Sequence, residues 1–111
     1  MKLIGLNADS KQEYTLVLPD GSTVDFKLEY VPNQAGWFYS VTYRDWSSVN
    51  RRLVVSQNML RQFREIIPFG LACFSTDIYE PLYQDDFATG RITVCQLDQA
   101  DVLEAEVLIG A

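Results

Sequence analysis

The chain contains no histidine. It therefore lacks the side chain most often used as a general base near neutral pH, and the commonest nitrogen ligand for zinc or iron. Its two cysteines, Cys73 and Cys95, are too few for a disulfide framework. They are also too far apart for a Cys-x-x-Cys redox or zinc motif. No apolar run approaches the roughly 18 residues of a membrane-spanning helix. The apolar patch Leu3-Ile4-Gly5-Leu6 falls short of the roughly 7–15-residue core of a secretory signal, so the chain reads as cytosolic when made. Ser10, Ser47 and Ser48 have neither a histidine partner nor a Gly-x-Ser-x-Gly context, which argues against a serine hydrolase. Basic residues are scarce, nine against fifteen acids, and the net charge of −6 argues against generic binding of nucleic acid.

What is present is a globular composition. Hydrophobic residues make up 48% and charged residues 22% of 111 residues, enough for one domain with one core and incompatible with a disordered chain. Two stripes of period 2 dominate: Val24, Phe26, Leu28, Tyr30 and then Trp37, Tyr39, Val41, Tyr43. Each lies on one face of a β-strand, with Asp25, Lys27, Glu29 and Ser40, Thr42, Arg44 on the other. Glu13–Leu18 reads as a strand, Pro19-Asp20-Gly21-Ser22 as a tight turn and Thr23–Val31 as the returning strand of a hairpin. A turn at 32–36 and the Trp37 strand extend this to a meander. Residues 45–50 read as a polar, turn-rich segment, followed by a short strand at 51–55. Apolar residues at 59, 60, 63, 66 and 67 predict a short helix near 58–66, ended by Pro68. Further strands are expected at 69–77 and 91–97. The fold class is mainly β: about six short antiparallel strands in a small sandwich or open barrel, with that one helix. A single domain spans 1–111, with its core at about 13–97. Residues 98–111 read as a mobile tail or a partner-binding extension.

Charge is unevenly placed. Five arginines and one acid lie between Arg44 and Arg64, whereas Asp77, Glu80, Asp85 and Asp86 come with no base among them. These carboxylates do not match the ligand spacing of an EF-hand, and no metal or cofactor is expected. Asp86 suits a turn cap, and one of the acids suits a bidentate pair with Arg91 or with an arginine of the middle segment. The aromatic stripe reads as core. Trp46, in the polar segment beside arginines, is the better interface candidate. Parity along the strands puts Cys73 and Cys95 on one sheet face, where a cross-strand or intersubunit disulfide is conceivable. Reduced, half-buried thiols are the favoured reading.

From Trp37 onward, the sequence resembles a family of small tailed-phage baseplate plug proteins. The resemblance runs in order through Gly36-Trp37-Phe38-Tyr39, Arg52-Leu53-Val54-Val55, Asn58-Met59-Leu60-Arg61-Gln62-Phe63-Arg64, Gly70-Leu71-Ala72-Cys73-Phe74-Ser75-Thr76-Asp77 and Asp85–Val94. Phe87-Ala88-Thr89-Gly90 stands where the family more often has Leu-Gly, and the chain continues past the closing strand. The resemblance implies a non-enzymatic virion protein of a contractile tail, made in the host cytoplasm. It implies several copies (three or six) around the tail axis, next to hub, spike and tube-initiating proteins. In such a ring, the arginines 44, 51, 52, 61 and 64 would face Asp77, Glu80, Asp85 and Asp86 of a neighbour. The alternatives are a β-domain binding a small ligand or carbohydrate on its aromatic face, and an edge-strand adaptor that captures a partner strand.

Overall fold

Alternation of apolar and polar residues produces the strands it predicts. In a computed structural model of the chain, which describes residues 1–109, the strands are β1 (Lys2–Leu3), β2 (Lys11–Val17), β3 (Thr23–Val31), β4 (Gly36–Tyr43), β5 (Trp46–Arg52), β6 (Gly70–Ser75) and β7 (Ile92–Leu97), and a helix, α1 (Gln99–Ile109), closes the chain. They form two antiparallel sheets, in the orders β2-β3-β4-β5 and β1-β7-β6. The expected hairpin is present, with Gly21 at φ 87°. Asp20 Oδ1 accepts the Ser22 N–H at 2.9 Å and fixes the turn from within.

The facing sheets enclose the core. Val24, Phe26, Leu28, Trp37, Tyr39, Val41 and Tyr43 of the larger sheet are at most 7% exposed. They pack against Leu71, Cys73, Ile92 and Val94 of the smaller sheet, with Leu53, Leu60 and Phe69 between. Each such side chain contributes ~1.5–3 kcal/mol on burial, and this core dominates the stability. The aromatic stripe is therefore core, as its period requires. It offers no open face to a sugar or other ligand.

Three local readings are corrected. Residues 46–52 are a strand, β5, rather than a turn-rich segment. Arg44, at φ 53°, turns the chain tightly between Tyr43 and Trp46. A bulge opposite Ser40 follows, with Asn50 at φ 52° and its N–H donated to Ser40 Oγ at 3.1 Å. Serine and asparagine occur here because β5 is an edge strand with a bulge. Trp46 is accordingly a half-buried strand residue, its ring 5.0 Å from Phe63 and 6.3 Å from Phe69, and not a turn tryptophan in solvent.

The helix expected near 58–66 is a single 3-10 turn, Arg61–Phe63. Its backbone is claimed by β6: the Met59 N–H donates to the Leu71 carbonyl at 2.6 Å. Asn58 Oδ1 accepts N–H groups from Leu60 at 3.0 Å and Leu71 at 3.2 Å. A helix this short is marginal without docking, and the cross-strand partners win. The helix forms instead in the C-terminal extension, where Val102 covers Ala72, Cys95 and Leu97 on the outer face of the smaller sheet.

The cysteine parity is also corrected. Cys73 pairs with Val94, and Ala72 with Cys95, so the two thiols point to opposite faces. Cys73 faces the core and Cys95 faces α1, and both are buried and free. A disulfide between them is geometrically excluded. β6 is buried on both faces, so its sequence carries no parity signal.

Candidate interaction surface

Buried positions use up the aromatic stripe, leaving surface charge and loops as the outward features. The strongest local arrangement is the segment joining β6 to β7. Asp86 is 2% exposed. Its carboxylate accepts Arg91 Nε at 2.9 Å and Nη2 at 2.7 Å, a bidentate pair. It also accepts the N–H groups of Leu82 at 2.8 Å and Tyr83 at 2.9 Å. Burial opposes its charge and is the largest single influence. Arg91 and the two N–H groups outweigh it and hold the carboxyl below the usual carboxylate range. Arg91 also donates to Asp77 Oδ1 at 3.0 Å and to the carbonyls of Tyr79 at 3.1 Å and Glu80 at 2.8 Å. Asp77, in turn, is held low by the Tyr79 N–H, with Ser75 and Arg91 assisting.

The core reaches out to the same segment. Trp37 Nε1–H donates to the Tyr83 carbonyl at 3.1 Å and the Tyr30 hydroxyl to the Leu82 carbonyl at 2.7 Å. Phe87 packs on Trp37 with ring centroids 4.8 Å apart. Glu80 accepts the Val55 N–H. Residues 77–91 are therefore held by many hydrogen bonds, with Asp86 buried and Glu80, Gln84 and Asp85 exposed. Their exposed large hydrophobic side chains are Ile78 at 91%, Tyr79 at 61% and Tyr83 at 60% exposure. Sequence reasoning missed these three, because apolar residues without a period do not reveal whether they are buried.

The arginines separate by partner. Arg61 and Arg64 share Glu106 of α1, at 3.0 and 2.9 Å. Hydrogen bonding from Arg61 holds that carboxyl low. Arg51 donates to Ser48 Oγ at 3.1 Å and lies 5.6 Å from the Phe63 ring centroid, with the Gln62 amide against its guanidinium. These three arginines border one surface groove, with Met59 and Gln62. Arg52 lies elsewhere. It stacks over Phe38 and donates to the carbonyls of Gln34 at 3.0 Å and Ala35 at 3.1 Å. It stands directly over Gly36, where a Cβ would come within 2.6 Å of its Nη2. Arg44 lies over the Tyr43 ring at 5.0 Å.

The sequence-level candidates thus divide. Arg91 and the fold absorb Asp77 and Asp86, so Asp86 is not available to a neighbour: burial and four hydrogen bonds consume it. Among the described residues, Arg44 and Arg51 have no carboxylate partner and the Asp85 side chain accepts no hydrogen bond. Arg51, Arg61 and Arg64 are brought together; Arg44 and Arg52 are not part of that group.

The class the fold defines is a two-sheet antiparallel β-module with most of its aromatic stripe in the core. Residues 1–99 match the family model described as cyanophage baseplate Pam3 plug gp18, and the chain belongs to that family. It is a family of structural plugs of the phage baseplate, which places the chain in the virion tail, in association with other baseplate proteins. The match ends at the first residue of α1. A search of curated proteins finds no match to the chain.

Proposed function

We propose that this chain plugs or connects the central hub and tube region of the baseplate through repeated side-by-side packing of subunits. The family match over residues 1–99 is the observation that carries the reading. The neighbours are hub, spike and tube-initiating proteins, with three or six copies around the axis of a contractile tail. The protein is made in the host cytoplasm and is incorporated as one domain, and its role involves no chemistry. Ion pairing across subunit boundaries falls to groups without an ion-pair partner among the described residues: Arg44, Arg51 and Arg52 on one side, Glu80 and Asp85 on the other. Trp46 contributes by supporting the arginine side from behind, through Phe63.

Light scattering of the purified protein, alone and mixed with each neighbouring baseplate protein, tests this reading. The expected result is a defined complex with at least one of them. A chain that remains monomeric with every baseplate protein would contradict it.

A further inference from the structure

We propose that Ile78, Tyr79 and Tyr83 form a preorganised docking knob, and that its socket is the arginine groove of a second copy of this chain. The inference rests on the assembly reading above and names the contact that reading leaves open.

The first observation is the cost in polar groups of holding the loop. Arg91 spends five hydrogen bonds on Asp77, Asp86 and the carbonyls of Tyr79 and Glu80. Trp37 and Tyr30 add two more to the carbonyls of Tyr83 and Leu82. None of these hydrogen bonds involves the Ile78, Tyr79 or Tyr83 side chains, which are largely exposed, although the Arg91 guanidinium lies 5.9 Å from the Tyr83 ring centroid. A rigid frame that displays two tyrosines and an isoleucine lowers the ordering penalty of binding, as in interface hot spots.

The second observation is charge. Around the knob, Glu80 and Asp85 are exposed, and the Arg91 guanidinium is already paired with Asp77 and Asp86. The groove on the same chain has a volume of about 450 Å³ and is bordered by Arg51, Met59, Arg61, Gln62 and Arg64. Two of its guanidiniums, Arg61 and Arg64, share the carboxylate of Glu106, and among the described residues Arg51 has no carboxylate partner. Tyrosine rings stack on guanidiniums, and carboxylates accept from them. Each copy carries one knob and one groove, complementary in charge and in chemistry. Glu80 accepts the Val55 N–H of its own chain, which adds to the hydrogen bonds that fix the loop. Such contacts link copy to copy and form a ring where the rotation between copies closes.

Sedimentation velocity over a wide concentration range, at low and high salt, tests the contact. The full chain is expected to self-associate, more weakly as salt rises. Tyr79→Ser with Tyr83→Ser should weaken association about tenfold or more. Asp85→Arg and Arg51→Glu should each weaken it, and the double variant should recover part of the loss. Unchanged tryptophan fluorescence and thermal midpoint show that the knob variants fold. A chain that stays monomeric throughout, or associates equally well without the tyrosines, overturns this inference. The baseplate reading would survive either result, because it is judged separately by complex formation with the other baseplate proteins.

Discussion

Arg91 and Asp86 show how much one ion pair organises. Removing Asp86 leaves a mostly buried guanidinium without its main acceptor and frees the N–H groups of Leu82 and Tyr83. Asp86→Ala should therefore destabilise by about 3 kcal/mol or more, read from denaturant midpoints. The folded carboxyl titrates below its unfolded value of about 3.9. Its contribution is complete above that pH and is lost as pH falls through the folded value. Asp77, Asp101 and Glu106 shift in the same direction. The wild type should lose stability below about pH 4, and Asp86→Asn should be weaker at neutral pH with a shallower acid profile. Two glycines provide a second comparison at this scale. A Cβ at Gly70 would come within 2.5 Å of Asn58 Oδ1, a buried atom already bonded to two N–H groups. A Cβ at Gly36 would meet the guanidinium end of Arg52, which can swing away. Gly70→Ala should cost ~1–3 kcal/mol and Gly36→Ala less, on the same measurement.

Among the elements, α1 is held by packing and by charge. Val102 and Ala105 are buried, and Glu106 reaches Arg61 and Arg64 across the segment before β6. Val102→Asp should detach the helix from the sheet and uncover Cys95. Burial pushes both thiols up, Cys73 to about 12, so neither should react with a thiol reagent in the native state. In the variant, Cys95 should label and Cys73 should remain protected, as followed by mass. A variant in which both stay protected would contradict the packing described. The same elements show what the sequence could reveal. Strands β2, β3 and β4 alternate because one face is core and the other solvent, so period and turn were legible. β5 was hidden by its serines and asparagine, which belong to an edge with a bulge. β6 is buried on both faces, so the facing of Cys73 could not be read. The helical spacing at 59–67 was real, but long-range hydrogen bonds from Asn58 and β6 overrode it. The Asp86–Arg91 pair was one of the options open to the acidic run. The exposure of Ile78, Tyr79 and Tyr83 depends on that pair's geometry, which lies beyond sequence pattern.

For the whole molecule, the chain is a sandwich that fills its interior with its own aromatics and keeps its contacts for the outside. The chain belongs to the baseplate plug family, and the assembly proposed above would act through that surface. The measurement that tests this most directly is the mass, by light scattering, of the complex formed when the purified chain meets the hub, spike and tube-initiating proteins of its own virion. The account predicts a defined complex with a fixed number of copies of this chain. A monomer that joins none of them would contradict it.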